Sequence, residues 1–187
     1  MITPRASAAI DWLFEQAIHD TCTPSDGSAC VLTRLDAPPA NEGKRQLMVL
    51  NISSYLFRLV ALFDFALDEA TAAHLSPDSR AAARLDGQAL LDACAERVNM
   101  ICGAVNRGLS ATFWHAGMST PLALESSCVQ HVDILQPEQV SVSRIDIGTS
   151  VRFHLTVCVC PARGSTLDFD VDRTVATADA AGELELF

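Results

Sequence analysis

Between Leu85 and Ser110 the apolar side chains return at the interval of an α-helix. Leu90, Leu91, Cys94, Val98, Ile101, Cys102, Val105 and Leu109 fall on one broad stripe at about 100° per residue. The pattern predicts a central, core-facing helix. Its opposite face gathers Gln88, Asp92, Glu96, Asn99, Gly103 and Asn106, because positions 92, 96, 99 and 103 follow a single helical face. That face carries carboxylates, an amide and a glycine where a merely solvated face would carry long, mobile side chains.

A first helix is predicted from Thr3 as N-cap with Pro4 at N1, where proline gives up only a donor that has no helical partner anyway. Ile10, Leu13, Phe14, Ala17 and Ile18 form its apolar face, and it should end near Asp20. A short strand from Ala29 to Leu35 is expected next, followed by the breaker-rich loop DAPPANEGK. The run from Arg45 to Leu67 is rich in β-branched and aromatic residues and reads as two strands broken near Asn51 to Ser54. In the second strand Tyr55, Phe57, Leu59, Ala61 and Phe63 alternate with Leu56, Arg58, Val60 and Leu62, so both faces are largely apolar. One face suits the helices, and the other suits a partner subunit. DEATAAHLS predicts a helical turn or short helix, and Pro77 marks a boundary before the central helix.

After the central helix, Ala111 to Gly117 reads as a connection, and Pro121 opens an expected extended segment, LALESSCV. The remainder reads as an antiparallel meander. Val140 and Val142 begin one strand; Val151, Phe153, Leu155, Val157 and Val159 line the next; Leu167, Phe169 and Val171 line a third. Such a sheet would be covered on one side and wet on the other. The small, acidic segment after Thr174 is expected to fray. Together these elements predict an α/β (α+β) domain over 1–173, with two or three helices on one face of a mostly antiparallel sheet and a flexible tail over 174–187.

Composition narrows the partners. The 187 residues are 49% hydrophobic, enough for a substantial core, and 13 basic against 23 acidic residues give a net charge of −10. That charge repels a phosphate backbone, so nucleic acid is not expected as a partner. No run reaches the length of a membrane-spanning helix or has the form of a signal peptide, so no membrane association is expected and the location should be cytoplasmic. Seven cysteines without CxxC or zinc-like pairing read as reduced thiols, with Cys94 and Cys102 as small core hydrophobes.

Several clusters could carry chemistry. Cys158-x-Cys160 with His154 shares a strand face, but the spacing is poor for structural zinc and half-buried thiols are the simpler reading. Asp168-x-Asp170-x-Asp172 has Arg173 where a calcium loop needs glycine for its turn. His115 near serines has neither a third member nor a nucleophile elbow.

The strongest constellation is Asp92-x3-Glu96-x2-Asn99, continuing as Asn-Met-Ile-Cys-Gly to Gly103, with twenty-one residues between Asn99 and Pro121. It resembles the CheC/CheX/FliY family of chemotaxis phosphatases, most closely the CheX branch, over roughly Gln46 to Val171. The chain departs from the family pattern in a proline gap one residue short, a long 21–44 segment and the acidic tail.

The resemblance implies a phosphatase acting on the phospho-aspartate of a CheY-like response regulator, with the helix inserted beside that group. Glu96 and Asn99 would be the catalytic pair: Asn99 orients the attacking water and Glu96 engages a lysine of the regulator. Asp92 and Gly103 would serve partner docking. No intrinsic cofactor or metal is expected, since Mg²⁺ would belong to the regulator, and the family implies a homodimer formed through the sheets. The first helix repeats the spacing as Asp11-x3-Glu15-x2-Ile18, with isoleucine in place of asparagine, so a single site is expected. The other class compatible with these residues is a catalytically inactive module that binds a response regulator or another signalling partner.

Overall fold

A computed structural model of the chain describes residues 1–24, 27–40, 43–75 and 87–173. Its elements are α1 (Pro4–Cys22), β1 (Cys30–Leu35), β2 (Arg45–Ser53), β3 (Phe57–Ala66), α2 (Glu69–Leu75), α3 (Gly87–Ser110), β4 (Gly117–Met118), β5 (Leu122–Leu124), a 3₁₀ segment (Ser126–Leu135), β6 (Gln139–Ile147) and β7 (Val151–Pro161). The strands form one sheet in the order β1-β6-β7-β3-β2-β4, with β5 also paired to β2, and every strand pairing is antiparallel. The expected α+β class and mostly antiparallel sheet are the observed ones. Pro77, Leu85 and the tail from Thr174 lie outside the described residues.

Helix α1 starts as the sequence requires: Thr3 is the N-cap, its side chain accepts a hydrogen bond from Ala6 N at 3.2 Å, and Pro4 occupies the first turn. Such a cap contributes about 1 kcal/mol. The helix runs two residues past Asp20, to Cys22. Ile10, Leu13, Phe14, Ala17 and Ile18 are all buried. They join Leu90, Cys94, Val98, Ile101, Cys102, Val105 and Leu109 of α3 and the inward side chains of β2, β3 and β7 in one apolar core.

Strand β3 occupies the middle of the sheet and is buried on both faces. Phe57, Leu59, Ala61, Phe63 and Phe65 point to the helices, while Val60 and Leu62 point the other way. The second face needs no partner subunit at these positions, because the chain covers it itself. Leu47, Val49, Val60, Leu62 and Cys158 pack against Val129 and Val132 of the 3₁₀ segment, with Leu124 and Leu135 at the margin. The segment is two short 3₁₀ turns joined by a kink at His131, and its buried residues are Ser126, Val129 and Val132. The extended segment expected after Pro121 is therefore confined to Leu122–Leu124, and Ser126 onward turns into this covering element.

The third C-terminal strand is also absent. β7 already has β3 and β6 as neighbours, so the segment at Leu167–Val171 cannot join the sheet there. Its alternation survives in another setting: Leu167 and Phe169 are buried, and Leu167 makes an isolated parallel bridge to Ile2. Phe169 stacks edge-on against Phe113 at 5.0 Å, and Phe113 does the same with Phe57 at 4.9 Å. Asp168 turns outward to accept hydrogen bonds from the Thr3 hydroxyl at 2.7 Å and from Arg5 at 2.8 Å.

One charge interrupts the apolar run of β3. Asp64, 4% exposed, accepts from Arg45 Nε at 2.6 Å and from the Ser126 hydroxyl at 2.7 Å. Arg45 Nη2 donates to the Asp64 backbone carbonyl at 2.7 Å and lies 3.1 Å from His154 Nδ1, while that imidazole nitrogen stands 3.9 Å from the Asp64 carboxylate. Burial pushes the Asp64 carboxyl up, but His154, Ser126 and Arg45 together outweigh it, holding its pKa below the ordinary 3.8.

Because the folded-state pKa lies below the unfolded one, this carboxylate contributes fully above about pH 4 and its contribution is lost as pH falls through the lower folded value. Asp64→Ala leaves Arg45 buried without its counter-charge and should cost about 3 kcal/mol at pH 7. Urea denaturation at pH 7 and pH 3 checks both statements: the wild type should lose part of its advantage over the variant at the lower pH.

Candidate functional site

The candidate site is built on the outward face of α3. The inward stripe is fixed by seven buried side chains, from Leu90 at 8% exposure to Leu109 at 0%. Fixing that stripe fixes the helix rotation, and positions 88, 92 and 96 are exposed while 99, 103 and 106 are half-buried. Glu96 and Asn99 stand one turn apart at i and i+3, the spacing that places two side chains side by side, about 5–6 Å between Cβ atoms.

Neither the Glu96 carboxylate nor the Asn99 amide has a hydrogen-bond or ion-pair partner among the described residues. Asp92 behaves differently, accepting a hydrogen bond from Gln88 Nε2 at 2.8 Å within the same helix. Asn106 has a buried Oδ1 without a partner, and Met100, beside Asn99, is 47% exposed. An anionic group, an amide offering both donor and acceptor, and an exposed thioether thus share one accessible surface.

Gly103 completes this face. A Cβ there would meet nothing closer than Arg107 Nη1 at 3.7 Å, so the chain's own packing does not call for glycine. Five residues later the opposite holds. A Cβ at Gly108 would stand 2.4 Å from Leu13 Cδ2, so the Leu13 side chain of α1 would have to shift to admit one.

The repeat of the spacing on α1 resolves clearly. Asp11 pairs with Arg34 at 2.8 Å, Glu15 is exposed, and Ile18 is fully buried in the core. An asparagine at position 18 would face apolar side chains, whereas Asn99 faces outward. The two helices share a spacing, and only α3 keeps its third member out of the core.

The remaining sequence candidates belong to the scaffold. Cys158 is fully buried and its thiol is pushed by burial up to about 12, as are those of Cys94 and Cys102. All seven cysteines are free thiols. His154 is engaged at the Arg45 and Asp64 cluster, and Cys160 Sγ lies 3.7 Å from the Leu135 carbonyl, so the trio does not converge on one point. Among the described residues no group of three or more His, Cys, Asp or Glu side chains is arranged to hold a metal ion. His115 is exposed beside Trp114, which is 86% exposed, and has no partner among the described residues. No helix among the described residues is long and apolar enough to cross a membrane.

No family model and no curated protein matches the chain. Solved structures do. A chain of the CheX-CheY-BeF3-Mg+2 complex from Borrelia burgdorferi aligns with a TM-score of 0.57 and 11% identity, covering 83% of this chain and 97% of that one. The chemotaxis protein CheX from Vibrio vulnificus aligns at 0.55 and 10% identity, covering 82% and 95%. FliY from Thermotoga maritima aligns at 0.51 and 14% identity, covering 86% and 91%. This is the CheC/CheX/FliY fold. The CheX-like architecture spans nearly the whole of those chains, and at 10 to 14% identity the likeness is one of fold.

The two glycines of α3 give a direct check on which surface each serves. Gly103→Ala should stabilise the CheX-like domain by up to about 1 kcal/mol, the helix-interior difference between the two residues. Gly108→Ala gains the same backbone term but drives its methyl into Leu13, and overpacking of this kind costs about 1–3 kcal/mol. Thermal melts should therefore place Gly103→Ala above the wild type and Gly108→Ala at or below it.

Proposed function

We propose that this chain is a phosphatase acting on the phospho-aspartate of a CheY-like response regulator, with Glu96 and Asn99 as its working pair. The observation that carries this reading is the pairing of an exposed carboxylate and an accessible amide, both without partners among the described residues, on the outward face of the principal helix of a CheX-like fold. One of the similar structures is a complex of CheX with CheY, BeF3 and Mg+2.

The chemistry asked of the pair is positional. Hydrolysis of an acyl phosphate breaks the bond between phosphorus and the aspartyl oxygen as water forms a new bond to phosphorus. The regulator's aspartate leaves as carboxylate, and the product is inorganic phosphate. The regulator's Mg²⁺ would neutralise the charge on the phosphoryl oxygens, so this chain supplies no metal. An amide suits the water-orienting task because its oxygen accepts a hydrogen bond from water while its NH₂ donates to a phosphoryl oxygen. Glu96 acts as an anchor for a lysine of the regulator. Asp92, held by Gln88, borders the contact, and the missing side chain at Gly103 lets the partner's backbone come close.

The alternative is a binding module that grips the regulator on the same helix without accelerating hydrolysis. Decay of each phosphorylated regulator encoded by the same organism, measured with and without the protein, separates the two. Asn99→Ala should lower the accelerated rate by about 100-fold, the scale of misplacing one reactant. Glu96→Ala should act mainly by raising the concentration of regulator needed. Binding at saturation with unchanged decay would leave the module reading and remove the enzyme.

A further inference from the structure

On the sheet face turned away from α1 and α3 lies a cavity of about 530 Å³ lined by Arg45, Arg144, Arg152 and His154, with Leu35, Pro39, Ala40 and Ala66 among its apolar walls. We propose that this cavity binds a small phosphorylated ligand. Its basic side chains come from three strands and are placed there by register. Asp64, His154 and Arg144 lie opposite one another across β3, β7 and β6, Arg152 lies opposite Asp146, and Arg45 lies opposite the small Ala66.

The guanidinium groups are held in a particular way. Asp146 accepts from Arg144 Nε at 2.7 Å and from Arg152 Nε at 2.5 Å, one oxygen for each. Both contacts use the Nε edge, so the Nη nitrogens of Arg144 and Arg152 have no partner among the described residues. Arg45 follows the same plan. Its Nε and Nη2 are committed to Asp64 and His154, while Nη1 has no partner among the described residues on a side chain only 10% exposed. The balancing carboxylates of Asp64 and Asp146 do not line the cavity; the one acid that does, Asp68, accepts from Thr71 N at 2.8 Å at the start of α2.

Three arginines with unused donors therefore line one hollow in a chain whose net charge is −10. A planar carboxylate is satisfied by a single guanidinium fork. A phosphate offers oxygens in several directions, and suits donors arriving from three strands. The volume lies in the range of small-molecule sites and exceeds what one phosphate fills, leaving room for an organic portion against the apolar walls.

The test uses the full chain and titrates sodium pyrophosphate and inorganic phosphate by calorimetry, with sodium chloride at matched ionic strength as the reference. Pyrophosphate should bind saturably. Arg144→Gln and Arg152→Gln should each weaken it by about tenfold or more, as loss of a charge-assisted hydrogen bond predicts. Arg152 is 58% exposed, so that variant should keep the wild-type melting temperature in the absence of anion. Arg5→Gln removes the same charge from a distant surface pair with Asp168 and should bind as the wild type does. The proposal is overturned by the absence of saturable binding beyond the chloride reference. It also fails if the Arg144 and Arg152 variants bind normally, or if Arg5→Gln loses as much affinity.

Discussion

A strand with apolar side chains on both faces must be covered twice, and β3 imposes that requirement on the whole molecule. From Leu59 to Phe65 every position is buried, so the sheet could not be a simple layer with one wet side along this strand. The helices meet the demand on one face through α1 and α3. On the other, a ten-residue 3₁₀ segment meets it with two valines and their neighbours. The single charge admitted to this buried run, Asp64, is the point where the second cover is fastened, through the Ser126 hydroxyl at the start of that segment. Covering and fastening thus begin at the same residue.

The helical half of the fold was legible because the interval of apolar residues is unambiguous there. Thr3 and Pro4 mark the start of α1, and the α3 stripe names its own buried residues with Leu91 alone only half-buried. The strands of the meander were legible for the same reason at a period of two. What misled was the assumption that alternation means sheet. Leu167 and Phe169 alternate with acidic residues because one side of an extended segment faces Phe113 and the N-terminus, where no ladder exists. The 3₁₀ cover is not an element either regular period predicts, because it consists of two short turns kinked at His131 that bury every third residue. Ser126, Val129 and Val132 carry that spacing, but neither a helical nor a strand template detects it.

The candidate site is legible in the sequence as one helix face and the residues that share it, and the structure places those residues on the outward side of α3. The sequence contains the same carboxylate spacing twice, and the substitution of isoleucine at position 18 already distinguished the copies. The structure supplies the physical reason: position 18 points into the core and position 99 does not. What single-sequence reading could not supply was the contrast between the two glycines. Gly108 serves the contact with Leu13, whereas a Cβ at Gly103 would make only an ordinary contact with Arg107 Nη1. By contrast, the arginine-lined hollow had no sequence signature. Arg45, Arg144 and Arg152 are scattered along the chain, and only strand register brings them together.

The tie between the two ends of the described chain bears on the order in which the molecule forms. Thr3 N donates to the Leu167 carbonyl at 3.0 Å, and Thr3 and Arg5 both hold Asp168. Contacts between residues so far apart in sequence close the largest loops in the chain and are made slowly. During synthesis, α1 emerges ahead of the sheet yet must wait for residues 167–168 before its N-terminal end is secured. Helix α1 is therefore anchored only after every strand of the described sheet has been made.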